Sequence, residues 1–349
     1  MKRIRVLVVD DSALCRAILR AILEEEGDIE VVGEAADGAE ARDAVARLRP
    51  SVVTLDIEMP GTDGLTAIRR IMAECPTPIL VVTGRPAEER SHTLFEAVRR
   101  GALDLCPKPS AGSPVDALNL RVLVRRMASV PVVRHIRTRS LRSPPALAAL
   151  EAPRPHAGLV RVIGIGASAG GPAAVAAVLR DLPSDLAASV LVVQHLLPGF
   201  TRPFADFLRH HSRLDVRIVE EGVVMRPGTA YVAPDERHLI ALANDRLCRS
   251  DAPPSGGHRP AVDVLFHSLA KVHGKGAAGV ILSGMGEDGA EGLAAMTAAG
   301  GLTIAQGEVG CAVYGMPRAA VLRGAARRQL PLGEIAGALV RATQGEART

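Results

Sequence analysis

The sequence predicts an α/β protein built from two doubly wound, mostly parallel sheets joined by a linker. Its 349 residues are too many for one domain of typical size and fit two. Short apolar runs alternate with helical stretches of about 10 to 15 residues, the pattern of parallel strands covered on both faces. A middle stretch rich in Pro, Ser and Arg interrupts that pattern. We predict a first domain over residues 1–109, a linker over 110–157 and a second domain over 158–345.

Five strand and helix repeats account for the first domain. Each apolar run precedes a stretch with helical periodicity, and the fifth repeat is complete by about residue 109. The apolar runs, in chain order, are IRVLVV, IEVVGEA, SVVTL, PILVVTG and ALDLC. Strands that are apolar on both faces belong to a parallel sheet with helices on both sides.

The linker carries the chain's basic character. Residues 117–150 contain seven arginines and no acidic residue, whereas the rest of the chain has 35 basic and 38 acidic residues. The formal net charge of +4 is therefore a local property of the linker. A helix over residues 115–127 is a candidate, and the remainder has the composition of a tether. A solvated tether and a segment that binds acidic partners or nucleic acid both stay open.

The second domain repeats the same alternation from Leu159 onward. Its strand and helix pattern ends with a helix over about residues 332–343. The apolar runs, in chain order, are LVRVIGIGAS, SVLVVQH, VRIVE, TAYVAP, HLIALAN, AAGVILSGMG and LTIAQ. Ligands of such sheets bind at the carboxyl ends of the strands. Both groups of candidate functional residues lie at strand ends of this kind.

Composition excludes several classes of function. Aromatic residues make up 2% of the chain and Trp is absent, which disfavours a binder of single-stranded nucleic acid. The five cysteines are scattered without a C-x-x-C pair, so neither a disulfide framework nor a zinc knuckle is indicated. Only four apolar residues precede two aspartates near the start, and no apolar run approaches the roughly 18 residues of a membrane span. We expect a soluble cytoplasmic protein.

Five residues at successive strand ends of the first domain predict phosphoryl chemistry. Carboxylates at adjoining strand ends form a hard-oxygen site suited to Mg²⁺. A lysine and a hydroxyl beside them can neutralise and hydrogen-bond a phosphoryl group that transfers to a carboxylate. The five residues are Asp10, Asp11, Asp56, Thr83 and Lys108. An aspartate at a single strand end is commonly a solvated loop residue or a helix cap. Only the occurrence of all five residues at successive strand ends therefore predicts the site.

With the GTDG stretch after Pro60 and the Lys108-Pro109 pair, residues 3–109 closely resemble the receiver domain of two-component response regulators. The resemblance implies a flavodoxin-like (βα)5 fold and Asp56 as the phosphoacceptor. It further implies that Asp10, Asp11, Asp56 and the Glu58 backbone carbonyl bind Mg²⁺, and that Thr83 and Lys108 hold the phosphate. Leu105 stands where receivers usually have an aromatic switch residue, and Gly84 where they often have a small hydroxyl residue.

A serine, a histidine and an aspartate at three strand ends of the second domain predict nucleophilic catalysis. Ser168 lies in a G-x-S-x-G stretch between a strand and a helix, where small neighbours permit a sharp turn that exposes the hydroxyl. The helix start supplies backbone donors for a developing oxyanion. His195 ends the next strand, and Asp288 starts a later helix. Together they provide a nucleophile, a general base and an acid that orients the base.

Two alternatives from other classes stay open at this point. The Gly164-x-Gly166-x-x-Ala169 spacing also matches a dinucleotide fingerprint, but the following strand ends in Gln194-His195 rather than in the acid that binds a ribose. A regulator that acts only by binding, for example to DNA through the arginine-rich linker, lacks a recognisable helix-turn-helix.

The motifs IGASAGGP, QHLLPGFT, RPAVDVLF, SGMGEDGAEG and QGEVGCAVYGMP resemble the effector domain of the chemotaxis protein-glutamate methylesterases from Val160 to about Ala325. Receiver, linker and this domain in series resemble the response regulators of that family, which are protein-glutamate methylesterases and protein-glutamine glutaminases. The resemblance implies Ser168 as nucleophile, His195 as base and Asp288 as the acid that fixes its tautomer. It implies the Met285 backbone amide as oxyanion donor. Ala169 replaces the usual Thr.

The resemblance also implies a substrate and partners. The substrate is a glutamyl γ-methyl ester on the cytoplasmic helices of methylated chemoreceptors, and family members often also deamidate receptor glutamines. A histidine kinase of the chemotaxis type donates the phosphoryl group, and phosphorylation relieves inhibition of the catalytic domain by the receiver. Mg²⁺ serves only the receiver, hydrolysis needs no cofactor, no nucleic-acid partner is expected, and the chain is expected to be a monomer.

Overall fold

The computed structural model describes residues 3–59, 64–84, 91–110, 112–128 and 159–345. The chain divides into two compact units, Met1–His135 and Ile136–Thr349, which are described separately. Among the helices in the described ranges, none combines the length and the apolar character that crossing a membrane requires.

The first unit alternates strands and helices as predicted. Its strands are β1 (Ile4–Val9), β2 (Ile29–Ala35), β3 (Val52–Leu55), β4 (Ile79–Thr83) and β5 (Asp104–Pro107). Its helices are α1 (Ala13–Glu24), α2 (Gly38–Leu48), α3 (Gly64–Glu74), α4 (Ser91–Arg99) and α5 (Pro114–Ala128). The sheet order is β2-β1-β3-β4-β5, and every pair of neighbours is parallel. The prediction of a doubly wound parallel sheet is confirmed.

Burial explains why the strand sequences are apolar throughout. Strands β3 and β4 are buried along their whole length, and β1 is buried over its last four residues. Helix starts follow local polar signals, because the Ser12 hydroxyl accepts a hydrogen bond from the Cys15 amide and Asp37 caps α2. These caps place the α1 and α2 starts directly after the β1 and β2 ends, where functional residues collect.

Helix α5 changes the interpretation of the start of the linker. It lies inside the segment predicted as linker, and it packs against α1, β3 and β4. Three of the seven linker arginines, Arg121, Arg125 and Arg126, therefore belong to a folded helix. Arg121 pairs with Glu25 and Glu26, and Arg125 pairs with Glu26 and Asp28, at the α1–β2 connection. Residues 129–158 lie outside the described residues, so the linker stays a prediction there.

The second unit contains a seven-stranded parallel sheet. The strands of the unit are β6 (Val162–Ala167), β7 (Ser189–Gln194), β8 (Asp215–Ile218), β9 (Val223–Val224), β10 (Thr229–Val232), β11 (His238–Leu242), β12 (Arg246–Ser250), β13 (Ala277–Ile281), β14 (Leu302–Gln306) and β15 (Arg328–Leu330). The helices are α6 (Gly171–Asp181), α7 (Thr201–His211), α8 (Val262–His273), α9 (Ala290–Ala298), α10 (Met316–Leu322) and α11 (Leu332–Thr343), with a short 3-10 turn over Gly274–Gly276. The sheet order is β15-β14-β13-β6-β7-β10-β8.

A small antiparallel sheet, β11-β12-β9, accompanies the large one. The prediction of a mostly parallel α/β unit is confirmed, but β9, β12, α10 and β15 were not predicted. They are short or polar. Strand β12 pairs with β11 as a hairpin across residues 243–245, whereas its other partner, β9, lies farther back in the chain. The apolar core continues between the two sheets through the buried residues Leu239, Leu247, Leu265 and Phe266.

Two candidate active sites

Strand register brings the carboxylates of the first unit together. Val9 of β1 pairs with Leu55 of β3, so Asp10 and Asp56 follow at the same level on adjacent strands. The sheet order reverses between these strands, and open α/β sheets bind ligands at such a switch point. Carboxylate oxygens of Asp10, Asp11 and Asp56 all lie within 4.8 Å of one another. These residues fit the oxygen ligands that Mg²⁺ prefers.

Lys108 joins the two buried carboxylates of this cluster. Its Nζ lies 2.7 Å from Asp10 Oδ2 and 2.7 Å from Asp56 Oδ2. Asp10 and Asp56 are buried, whereas Asp11 is exposed. The register explains the lysine's position, because Thr83 pairs with Pro107 and Lys108 is the next residue. Asp10, Asp11, Asp56 and Lys108 thus lie together at one rim of the sheet, where their places after the strands predict them.

Burial and charge act in opposite directions on this cluster. Burial raises the pKa of the Asp56 carboxyl, and the Lys108 ammonium offsets part of that rise. Burial alone would lower the pKa of Lys108, but its hydrogen bonds to Asp10 and Asp56 raise it overall. The lysine therefore stays protonated at neutral pH and supplies a fixed positive charge where a phosphoryl group would add negative charge.

Thr83, Glu58, Gly84 and Leu105 lie around the same cluster or in the adjoining strand. Thr83 is buried at the end of β4, and its carbonyl accepts the Lys108 amide at 2.7 Å. The Glu58 amide donates to Asp56 Oδ1 at 3.1 Å, whereas the predicted metal contact of its carbonyl stays a prediction. A Cβ at Gly84 would lie 3.2 Å from Lys108 Cδ, so this glycine leaves room for the lysine stem. Leu105 is buried in β5. Residues 61–63 lie outside the described residues.

Register also aligns the candidate triad of the second unit. Ala167 of β6 pairs with Gln194 of β7, so Ser168 and His195 follow at the same level on neighbouring strands. Strand β13 pairs with β6 on its other side, which makes the β6–β13 boundary the switch point of this sheet. Asp288 lies in the connection from β13 to α9.

The Ser168 turn is held by backbone contacts and small neighbours. The Ser168 amide donates to the Ser283 carbonyl at 3.0 Å, and the Ser168 carbonyl accepts the Gly171 amide at 2.7 Å. Gly170 has φ of 69°, and a Cβ there would lie 2.6 Å from the Ala312 Cβ. A larger residue at position 170 would therefore be both strained and crowded. The turn leaves Ser168 partly exposed at the start of α6.

Asp288 has three hydrogen-bond donors in the described structure. His195 Nε2 lies 2.8 Å from Asp288 Oδ2, which also accepts the Val262 amide at 2.7 Å. Asp288 Oδ1 accepts the Asp263 amide at 2.9 Å. These amides open helix α8, whose own cap residue Ala261 supplies no side-chain hydrogen bond. The carboxylate is therefore stabilised by the helix N-terminus as well as by the histidine.

Asp288 is expected to stay ionised at neutral pH. Burial raises its pKa, but the hydrogen bond and charge of His195 and the amides of Asp263 and Val262 lower it to about 2 overall. Its pKa lies below the ordinary value of 3.8, so its stabilisation of the fold is present above about pH 4. That contribution is lost as the pH falls through about 2. In ¹³C NMR of carboxyl-labelled aspartate, with Asp288→Asn to assign the resonance, an inflection above pH 4 would contradict this.

The imidazole of His195 uses its nitrogens in an order that the sequence does not predict. Nε2 faces the carboxylate, whereas Nδ1 is buried and has no protein partner within the described ranges. With Nε2 protonated and donating to Asp288, Nδ1 carries the lone pair. In the serine protease template the roles of the two nitrogens are reversed. Nδ1 is therefore the nitrogen that can accept a proton here.

The loop that contains Met285 lies against the serine. A Cβ at Gly284 would lie 3.0 Å from both the Cβ and the amide nitrogen of Ser168, so Gly284 permits the close approach. The part of the chain that the structure describes contains no acceptor for the Met285 amide. A backbone N–H without a protein acceptor, in a loop that approaches Ser168, is available to an oxyanion.

Two residues near the triad were not predicted as functional. The Gln194 side-chain amide donates to the Ser168 carbonyl at 2.8 Å and to the His195 carbonyl at 3.0 Å. The His258 ring stacks on the His195 ring with a centroid distance of 4.0 Å. Gln194 could have been found from its place before His195 at a strand end. His258 precedes the RPAVDVLF motif, and nothing in its local pattern connects it with His195.

Comparisons with known proteins agree with this geometry. The family model described as CheB methylesterase matches residues 163–339, and the response regulator receiver domain matches residues 6–117. A protein-glutamate methylesterase/protein-glutamine glutaminase of Anaeromyxobacter dehalogenans is 47% identical over 96% of each chain. The counterpart from Symbiobacterium thermophilum is 43% identical over 97% of each chain. The crystal structure of the Thermotoga maritima CheB methylesterase catalytic domain is 34% identical, with a TM-score of 0.51, over 52% of this chain and 98% of that one.

These matches cover both units in the predicted order and extend over nearly the whole chain. The methylesterase match spans all three strand ends that carry Ser168, His195 and Asp288. The receiver match spans the acidic cluster and Lys108. The chain belongs to the CheB methylesterase family and is a response regulator with an N-terminal receiver domain.

Proposed function

We propose that this chain is a phosphorylation-activated serine hydrolase that demethylates glutamyl γ-methyl esters on the cytoplasmic helices of chemoreceptors. The main support is the geometry of His195. Its Nε2 lies 2.8 Å from the buried carboxylate of Asp288, and its Nδ1 has no protein partner among the described residues. His195 can therefore act as a general base for Ser168, which lies in the turn that follows the neighbouring strand.

Acylation begins with attack of Ser168 Oγ on the ester carbonyl carbon. His195 Nδ1 takes the serine proton, and the imidazolium that forms is stabilised by Asp288 through Nε2–H. The Met285 amide donates to the oxyanion of the tetrahedral intermediate. Collapse of the intermediate breaks the bond to the methoxy oxygen, which receives the proton from His195 and leaves as methanol.

Deacylation repeats the same steps with water as the nucleophile. His195 Nδ1 takes a proton from water, hydroxide adds to the acyl carbon, and Ser168 leaves with a proton from His195. The product is a free glutamate side chain. A primary amide can follow the same path with ammonia as the leaving group, which supports deamidation of receptor glutamines as a second activity.

The receiver regulates this reaction through Asp56. We propose that a carboxylate oxygen of Asp56 attacks the phosphorus of a donor such as the phosphohistidine of a chemotaxis-type kinase. The P–N bond breaks and the donor imidazole leaves, while Lys108 and Thr83 contact the transferred group. Mg²⁺ held by Asp10, Asp11, Asp56 and the Glu58 carbonyl would neutralise charge on that group. Fixed donors and charges of this kind are the means by which proteins promote phosphoryl transfer.

Methanol release from methylated chemoreceptor membranes tests the proposed function. The full chain, treated with Mg²⁺ and acetyl phosphate, should release methanol, and the Ser168→Ala variant should not. A chain that binds these membranes without releasing methanol would contradict the proposal. A salt-dependent shift of DNA by the same chain would favour the DNA-binding alternative instead.

Phosphorylation is expected to raise methanol release by at most about 10- to 100-fold. That ceiling applies when roughly 1 to 10% of the unphosphorylated molecules are active, because activation cannot exceed full population of the active state. Removing the receiver should give a rise of similar size. The rise should appear in kcat/KM, because that quantity is proportional to the active fraction whether or not the inactive molecules bind substrate.

The matched comparison uses the full chain, the phosphorylated chain and a fragment that starts near residue 157. The fragment omits α5 as well, because that helix packs against the first sheet. The structure of the isolated Thermotoga catalytic domain supports independent folding of such a fragment. A folded fragment that is no faster than the unphosphorylated full chain would show that the receiver does not inhibit this enzyme.

A further inference from the structure

We propose that His258 is a positioning residue that fixes the ring plane of His195, so that Nδ1 is held ready for the serine proton. The two imidazole rings are parallel within 3°, with centroids 4.0 Å apart. This inference rests on the proposed function, because it assigns a role within the same site. His258 itself contacts no reacting atom in the proposed steps.

One hydrogen bond does not fix the plane of a ring. His195 Nε2 is hydrogen-bonded to Asp288, but a ring that is attached at Cγ and held at Nε2 can still rotate about the line through those two atoms, and the terminal torsion of histidine is broad. A second hydrogen bond at Nδ1 would fix the plane, yet that atom has no protein partner in the described part of the chain. Nδ1 must stay free of hydrogen bonds if it is to accept the serine proton. A second contact that fixes the ring plane must therefore be made with the face of the ring.

The stacked ring supplies that constraint. Stacking of two aromatic rings at this distance is attractive. Rotation of the His195 ring out of its present plane would separate the two ring faces. The face of a neutral ring also attracts the positive charge that His195 carries after it takes the serine proton. Both effects depend on the flat face of His258 and not on its ring nitrogens.

The turn that carries His258 is itself well fixed. Ser255 and His258 exchange two backbone hydrogen bonds, of 3.0 and 2.9 Å, across Gly256 and Gly257. Both glycines have positive φ, of 57° and 83°, which a two-residue turn of this kind requires. The stacking ring is therefore presented by an ordered turn.

The same stretch of chain also supports the acid of the triad. His238, which is fully buried, contacts the Pro253 carbonyl through Nε2 at 3.1 Å and accepts the Ala261 amide at Nδ1 at 3.2 Å. The next two amides, of Val262 and Asp263, bind Asp288. The stretch from residue 253 to residue 263 thus places the His258 ring against His195 and two amide donors against Asp288.

A matched pair of variants in the full chain tests the proposal. His258→Phe keeps a flat ring without nitrogens, whereas His258→Leu fills a similar volume without a flat face. We expect His258→Leu to lower kcat for methanol release by roughly 10- to 100-fold with KM within about threefold of wild type. We expect His258→Phe to keep kcat within about threefold, and both variants to keep the thermal unfolding midpoint of the wild type.

Equal kcat values for the two variants, whether both high or both low, would overturn the proposal. So would a loss by His258→Leu that appears in KM alone. His258→Gln, which has no ring and suits a half-exposed turn, replaces His258→Leu if that variant does not fold. Failure of the proposed function is distinguishable, because it would appear as a wild-type chain whose methanol release is absent or does not depend on Ser168.

Discussion

Replacing Ser168 by alanine is expected to lower methanol release by roughly 10⁵- to 10⁶-fold while the protein stays folded. The variant loses only the hydroxyl oxygen that we propose as the nucleophile. Alanine suits the turn, because Ser168 lies between Ala167 and Ala169 and its recorded hydrogen bonds are made by the backbone. The loss should appear in kcat, with KM little changed, since the oxygen acts in the transition state rather than in binding.

The other triad residues are expected to act with Ser168 as a unit. Asp288→Asn should cost roughly 10⁴-fold, and double variants should be no slower than the slowest single variant. The amides of Val262 and Asp263 each occupy one carboxylate oxygen of Asp288. An asparagine has only one oxygen for these donors, and its NH₂ group at the other position would favour the histidine tautomer with the proton on Nδ1.

Methanol release from methylated receptor membranes measures these losses, with circular dichroism to confirm that each variant is folded. Ser184→Ala is a matched control, because Ser184 is exposed in the same domain after α6. The control should match wild type. A folded Ser168→Ala variant with near-wild-type turnover would show that Ser168 is not the nucleophile. Reductions in kcat that multiply in the double variants would show that the three residues do not act as a unit.

Much of both sites could be predicted because parallel register is regular. Each apolar run marks a buried strand, and residues that follow adjacent parallel strands lie at one level. The pairing of Val9 with Leu55 and of Ala167 with Gln194 therefore converts sequence position directly into proximity. Asp288 was predicted less directly, since it follows β13 only after a connection of several residues.

What could not be predicted depends on side-chain direction and on contacts between distant segments. The use of Nε2 toward Asp288 follows from the direction of the His195 ring, which the strand pattern does not specify. The stack of His258 depends on a turn whose only local signal is a pair of glycines. The packing of α5 depends on ion pairs of Arg121 and Arg125 with acids almost 100 residues earlier, so its arginines looked like part of a tether.

Asp56→Asn is expected to abolish phosphorylation of the receiver by acetyl phosphate and Mg²⁺. Asp56 has Lys108 Nζ at 2.7 Å and lies within the acidic cluster that fits Mg²⁺. An amide is a poor nucleophile toward phosphorus, so asparagine removes the bond-forming atom. In the wild type, a carboxylate oxygen of Asp56 is expected to form the new bond to phosphorus as the bond to acetate breaks, which leaves an acyl phosphate.

The cluster also explains why its other carboxylates should not be labelled. Asp10 Oδ1 accepts the Ser12 amide at 2.9 Å, and its Oδ2 lies against Lys108, so both oxygens are engaged. Asp11 is exposed and is placed to bind the metal through its carboxylate. Asp11→Asn should therefore slow phosphorylation by weakening Mg²⁺ binding, yet the label that does form should still be on Asp56.

Borohydride trapping followed by mass spectrometry locates the acyl phosphate. Asp43→Asn is the matched control, because Asp43 is exposed on α2 and lies outside the acidic cluster. The control should be labelled as fully as wild type and should be activated to the same extent for methanol release. Asp56→Asn should show neither the label nor the activation. A label that persists in Asp56→Asn, or that maps to Asp10 or Asp11 in the wild type, would show that a different carboxylate accepts the phosphoryl group. Asp56 would then not be the residue through which phosphorylation activates methanol release.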